Sequence, residues 1–252
     1  MSGIYTALVA RLQAGAAVSL ATVITGPRPG AHLLVPAGAP PLGSIDPALD
    51  AQVAADCATL LAAAQSTLRT YTSPAGAWTI FVESFPPPPR LIIVGAVHVA
   101  IPLHRLAKEL GYFVAVVDAR RALATRERFP DADIVRTDWP DDALRALGLD
   151  AATAVVVLTH DPKFDEPALQ AALASPARYI GAIGSRTTHQ ERLAALRAAG
   201  LADAQLARIH APIGLDLGGQ TPAEIALAVL AEIVAVRYGR DGGRLRDKPP
   251  PT

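Results

Sequence analysis

The sequence predicts an α/β protein in two parts: a small α+β domain over residues 1–84, a proline-rich linker over 85–90, and a parallel sheet with helices on both faces over 91–238. Three observations carry this reading. Residues 86–89 are all proline; prolines donate no ladder hydrogen bonds and hold the chain extended, which marks an interdomain spacer. Beyond them, strands of nearly pure Val, Ile and Leu alternate with helical patterns. Strands of that composition are buried on both faces, so the sheet is parallel and lies between helices. Before the prolines the pattern is mixed, with short strands and two helices.

Element by element, Ile4, Leu8 and Leu12 recur at helical spacing up to Gly15. Strands follow over 18–24 and 32–35, then a helix over 47–61 and a β-branched, aromatic strand over 78–85. In the second part the expected order is strand 91–94, helix 99–110, strand 113–118, strand 133–136, helix 141–147 and strand 153–159. Helix 163–174, strand 178–183 and helices 188–199 and 222–238 complete it. Thr221-Pro222-Ala223-Glu224 reads as a capping box with proline at the first helical position. This order is that of a Rossmann-like domain. Residues 239–252, rich in Gly, Arg and Pro, have nothing to bury and are expected to be a flexible tail.

Composition excludes several classes. Of 252 residues 51% are hydrophobic and 18% charged, which places the chain among globular proteins. Lys plus Arg and Asp plus Glu are 23 each, so no net field draws in a nucleic acid or an anionic membrane. The single cysteine, Cys57, excludes an internal disulfide framework and a zinc site of several cysteines. With no basic-then-apolar opening segment, a cytoplasmic location is expected. The longest apolar runs, 91–103 and 225–236, fall short of the ~18 residues of a membrane span, and Glu232 interrupts the second.

In an open α/β sheet, ligands sit beyond the carboxyl ends of the strands, where strand order reverses. The first such end reads Gly95-Ala96-Val97-His98-Val99-Ala100. A dinucleotide fingerprint needs a second glycine, so that pyrophosphate can reach the backbone. Val97 occupies that position and disfavours NAD(P). Asp118, 23 residues after Gly95, suits ribose hydroxyls, or else accepts N–H groups of its own turn. Arg120 and Arg121 suit a phosphate or solvent. The fourth strand releases Thr159, His160, Asp161 and Asp165 together, a cluster suited to proton transfer or to hydrogen bonding a heterocycle. Asp161 before Pro162 also reads as an N-cap, whereas His160 has no such explanation. Too few ligands stand nearby for a metal. At the fifth strand end Gly184, Ser185 and Arg186 enter a helix beginning near Thr187 and form a phosphate-sized anion pocket, with Ser185 or Thr187 also a plain N-cap. The glycine-rich loop over 210–219 borders the same edge.

Taken together, Gly95 to Arg120, Leu158-Thr159-His160-Asp161-Pro162, Tyr179 to Arg186, Ala211-Pro212-Ile213-Gly214-Leu215-Asp216 and Thr221 to Ala226 resemble the XdhC/CoxI family. These are accessory proteins of xanthine dehydrogenase and related molybdenum hydroxylases. The resemblance implies a non-catalytic maturation factor that binds molybdenum cofactor, a molybdopterin, as cargo and aids its sulfuration and insertion. Its phosphate would sit on Gly184, Ser185 and Arg186 and its ring system near Thr159, His160 and Asp161, with Gly95, Ala96, Val97 and Asp118 lining the same edge. Implied partners are the hydroxylase apoenzyme and a cysteine desulfurase, and a homodimer is left open. Two departures stand out: Val97, and the segment over 43–50, which lacks the cysteine of the family's glycine-rich turn. Cys57 lies in a helix instead and reads as a small apolar core residue. Competing readings are an NAD(P)-dependent oxidoreductase and a ligand-free regulatory interaction protein.

Overall fold

The computed structural model describes residues 3–248. The chain divides into two compact units, Met1–Pro87 and Pro88–Thr252. The first comprises α1 (Gly3–Gln13), β1 (Val18–Thr25), β2 (His32–Pro36), β3 (Leu42–Gly43), α2 (Asp50–Ala62), β4 (Thr67–Ser73) and β5 (Gly76–Phe85). Its strands form one antiparallel sheet in the order β3-β2-β1-β5-β4. The period-two alternation of β1 sorts its side chains between two helices. Ala21 and Val23 pack with Val53, Cys57 and Leu60 of α2, while Val18 and Leu20 pack with Leu8 of α1. Cys57 is wholly buried, and burial pushes its thiol up to about 12.

Two local features differ from the sequence pattern. α2 begins at Asp50 rather than at Pro47, because Asp46 holds the preceding residues in a turn: its carboxylate accepts from the Ala48 N–H at 3.0 Å and its carbonyl from the Leu49 N–H at 2.8 Å. Edge strands β3 and β4 have no counterpart among the expected elements: β3 is two exposed residues, and in β4 only Tyr71 is buried, so its polar, threonine-rich sequence carries no core-facing signal.

The second unit comprises β6 (Arg90–Val94), α3 (Ala100–Glu109), β7 (Phe113–Val117), β8 (Ile134–Arg136), α4 (Pro140–Leu147), β9 (Thr153–Val157), α5 (Pro162–Leu173), β10 (Tyr179–Ala182), α6 (Arg186–Ala198), α7 (Asp203–Leu206), β11 (Ile209–His210) and α8 (Pro222–Arg237). All six strands are parallel, in the order β11-β10-β9-β6-β7-β8. Strand order therefore reverses between β6 and β9, as in a doubly wound sheet. In β6, Leu91 and Ile93 pack with Leu103 of α3 and Val229 and Ile233 of α8. Ile92 and Val94 face the other way, toward Leu144 of α4, Leu169 of α5 and Leu196 of α6. Each such side chain contributes about 1.5–3 kcal/mol on burial, and covering both faces explains why the strands contain almost no polar residues.

β9 stops at Val157, earlier than its apolar run: the Leu158 N–H still reaches the Val94 carbonyl at 2.8 Å, but Thr159 turns aside to the carboxylate of Asp165. After α8, the Arg240 N–H bonds the Ala235 carbonyl and Leu245–Asp247 form a turn of 3-10 helix, with Leu245 90% exposed. Of the tail expected over 239–252, the last four residues lie outside those described. Among the described residues no helix is long and apolar enough to cross a membrane.

Candidate functional site

The carboxyl edge of the parallel sheet gathers the residues that the sequence singled out, in two groups. The first surrounds the end of β6. Gly95 has φ of +105°, and a Cβ there would lie 2.7 Å from Thr159 Cγ2 and 3.0 Å from its backbone nitrogen. Only glycine lets this turn close against the end of β9. The N–H of Ala96 donates to Asp118 Oδ2 at 2.8 Å. Asp118 is 3% exposed, and its Oδ1 accepts from the Arg120 N–H and Nε, both at 2.9 Å, while Oδ2 also takes Arg120 Nη2 at 2.7 Å. Burial alone would raise this carboxyl, but the Arg120 and backbone donors outweigh it and hold the pKa below the ordinary aspartate value. Of the two readings open for Asp118, the geometry matches the acceptor of N–H groups in its own turn, with Arg120 as its ion-pair partner. Val97 is half-buried and packs on the cluster between α3 and α8.

The second group follows β9 and β10, which pair in parallel with Val157 opposite Ala182. Their loops therefore leave the sheet side by side. Asp161 caps α5, accepting from the Lys163 N–H at 3.0 Å, and Ser185 caps α6, accepting from the Thr188 N–H at 3.1 Å. Gly184 has φ of +142°, and a Cβ there would press on Thr188 at 3.3 Å. A buried bridge ties the two loops: Thr159 Oγ1 donates to Asp165 Oδ1, Asp165 Oδ2 pairs with Arg192 Nη2 at 2.9 Å, and the same Nη2 reaches the Ile183 carbonyl at 3.1 Å. Both ends of the ion pair are 5% exposed. Burial raises the pKa of Asp165 despite Arg192 and Thr159, and burial lowers that of the neighbouring His189. Above this bridge His160 and Arg186 are exposed and have no side-chain hydrogen bond or ion pair among the described residues.

A third arrangement escaped the sequence reading. Glu232 of α8 receives the Tyr179 hydroxyl, lies 3.3 Å from His210 Nδ1, and takes the Gly214 N–H at 2.8 Å. The Tyr179 and His210 rings stack at 4.5 Å, and Ile213 fills the space over Gly181, where a Cβ would meet its Cδ1 at 2.5 Å. Burial opposes the Glu232 charge, but His210, Tyr179 and Gly214 outweigh it and lower its pKa. Burial and Glu232 raise that of Tyr179 well above the phenol range. The arrangement anchors the loop over 211–219, whose far end carries the Thr221–Glu224 capping box. Arg192 and Glu232 were missed because each is one polar residue within a helical pattern; the only sequence signal was an acid interrupting the apolar run of α8.

The XdhC Rossmann domain model matches residues 91–233. The chain belongs to the XdhC family. Three curated relatives of this XdhC chain are similar over most of its length. YqeB of Escherichia coli K12 is 34% identical over 169 residues, 67% of this chain and 31% of that protein. A Bacillus subtilis 168 protein, described as a probable subunit of xanthine dehydrogenase, is 32% identical over 63% of this chain and 46% of its own length. The molybdenum cofactor insertion chaperone PaoD of E. coli K12 is 31% identical over 71% of this chain and 50% of its own. The chain thus spans about a third to a half of the length of these curated relatives. A crystal structure of a xanthine dehydrogenase from Bacillus halodurans is similar in fold, with a TM-score of 0.57 at 20% identity over 99% of this chain and 98% of that one.

Proposed function

We propose that this chain is an accessory factor for a molybdenum hydroxylase of the xanthine dehydrogenase type, receiving molybdenum cofactor as cargo and passing it to the apoenzyme. The observation that carries this reading is the pair of adjacent loops after β9 and β10, which leave His160 and Arg186 unpartnered above a rigid buried bridge. The family membership and the name of PaoD support the same reading. The residues fit a phosphorylated heterocycle. Gly184 and the first N–H groups of α6, with Arg186 beside them, suit a phosphate. His160 and Thr159 suit ring nitrogens and oxygens. Each contact binds or orients the cargo, and none performs a bond-breaking step. Sulfuration belongs to a partner such as a cysteine desulfurase, since the Cys57 thiol is enclosed in a core and held protonated by burial.

An NAD(P)-dependent oxidoreductase is the weaker reading. Val97 replaces the glycine that pyrophosphate needs, and Asp118 already accepts four protein donors, which leaves little for a ribose. The deciding experiment is anaerobic purification from a host that makes molybdopterin, followed by oxidation and pterin fluorescence. The expected result is a pterin that co-purifies with the wild-type chain and is lost from His160→Ala and Arg186→Ala. Pterin-free wild-type protein that still co-purifies with the apoenzyme would select the ligand-free regulator. Micromolar binding of NADH would select the oxidoreductase.

A further inference from the structure

Between α3 and α8 lies an apolar groove of about 520 Å³, walled by Leu106, Leu215, Leu227, Leu230, Val234 and Tyr238. Along α8, Leu227, Ala231, Val234 and Tyr238 recur at intervals of four, three and four residues. That is the spacing of a helix seam that packs on another helix. Val229 and Ile233 of the same helix face the sheet and are buried, whereas Leu227, Tyr238 and Leu110 at the end of α3 are each more than half exposed. One surface leucine needs no explanation, but a continuous apolar patch around a groove marks a place that something covers.

Two charges flank the groove, Glu109 on the α3 side and Arg240 just past α8. Both are exposed, and neither side chain has a hydrogen bond or ion pair among the described residues. Gly111 and Tyr112 lead from this end of α3 into β7, and the Arg237 carbonyl accepts at 3.3 Å from Nη1 of Arg178, just ahead of β10. The charged end of the groove therefore lies at the amino edge of the parallel sheet, opposite the loops proposed for the cargo. The same face carries a knob. A Cβ on Gly242 would lie 2.6 Å from Leu215 Cδ1, so the chain beyond α8 returns against the groove wall. Lys248 pairs with Asp241 and closes a turn, and within that turn Leu245 is held almost wholly in solvent.

We infer that a second copy of this chain occupies the groove in a two-fold dimer, in which each Leu245 enters the partner's groove and each Glu109 meets the partner's Arg240. Two-fold contact requires a patch that complements itself. This face supplies both a hole and a knob, and both an anion and a cation. A foreign helix would have to match two opposite charges and would still leave Leu245 in water. The chain's own Leu245 is turned outward by the ion pair between Asp241 and Lys248. The inference goes beyond the cargo reading and does not depend on pterin binding.

Sedimentation of the full chain over about 1–100 μM tests it, with a monomer–dimer equilibrium expected in that range. Every contact in such a dimer occurs twice, so Glu109→Arg and Arg240→Glu each oppose like charges at two places and should each weaken association by about tenfold or more. Leu245→Asp should do the same. All three side chains are exposed, so the variants should keep the wild-type circular dichroism spectrum. Mixing Glu109→Arg with Arg240→Glu in equal amounts should restore the dimer, because one copy then carries only cations and the other only anions at these two positions. Neither a foreign partner nor a tail folding onto its own groove gives that recovery. A wild-type chain that stays monomeric at about 100 μM overturns the inference. Association unchanged in the single variants does so too, as does a mixture that associates no better than its components.

Discussion

The two halves of the carboxyl edge are built from the same kinds of residue and put them to different use. Around the end of β6, the buried charge has its partners within the protein: Asp118 is closed off by Arg120 and by the Ala96 N–H, and Gly95 seals the turn against Thr159. After β9 and β10, Thr159, Asp165, Arg192 Nη2 and the Ile183 carbonyl are joined below the surface, with Arg192 Nη1 and His189 Nδ1 buried but unpaired, and His160 and Arg186 stand exposed without partners among the described residues. Charged side chains close to a turn are therefore not in themselves a binding signal. What separates the halves is whether an outer group is drawn into the inner pairing, as Arg120 is onto Asp118, or is left out of it, as His160 and Arg186 are.

That contrast can be broken at its strongest point first. Asp165→Ala leaves the Arg192 guanidinium buried and uncompensated, so about 3–5 kcal/mol of stability should be lost in chemical denaturation. The double change Asp165→Leu with Arg192→Met should recover much of that loss, because the buried charge is then gone from both sides. If the single variant melts like the wild type, the bridge does not support the open half as argued.

Gly95→Ala forces a side chain into a left-handed turn and onto the Thr159 backbone, with an expected loss of about 1–3 kcal/mol by thermal melting. Smaller, and specific to pH, is the role of Asp118. Its pKa in the folded chain lies below its ordinary value of 3.8, so its contribution is fully present above that value and fades as pH falls through the lowered one. Asp118→Asn should therefore be less stable than the wild type at neutral pH, and the gap should narrow in melts taken progressively below pH 4. A gap that stayed constant down to pH 2 would remove the ionised carboxylate from the explanation. At the lower end, His160→Ala and Arg186→Ala should change stability by no more than about 0.5 kcal/mol, since both are exposed and unpartnered. Their effect should appear only in the retained pterin.

Much of this was legible in the sequence, for reasons that the structure makes concrete. The alternation of Leu91, Ile92, Ile93 and Val94 between two helical layers is what makes a strand uniformly apolar, so the parallel sheet could be read from composition. The helix starts at Asp161 and Thr221 were readable because capping depends on neighbours two or three residues away, and at α6 the structure chose Ser185 over Thr187. Strand β4 was not readable, because an edge strand with one buried residue lacks the pattern on which such readings rest. The same holds for Arg192 and Glu232. Their partners lie 27 residues away in Asp165 and 53 residues away in Tyr179, and no local spacing announces a pairing of that range.

The sequence by itself determined the apolar strands and the helices that cover them, the capped helix starts at Asp161 and Thr221, and which residue types cluster at the strand ends, because each of these rests on interactions within a few residues. Only the tertiary structure decided which clustered groups remain available to a ligand. Strands far apart in the chain become neighbours in the sheet, and the side chains that meet there choose between satisfying one another and facing outward. Asp118 found Arg120 and the turn of β6, and Asp165 found Arg192. His160 and Arg186 stayed exposed, with no side-chain partner among the described residues.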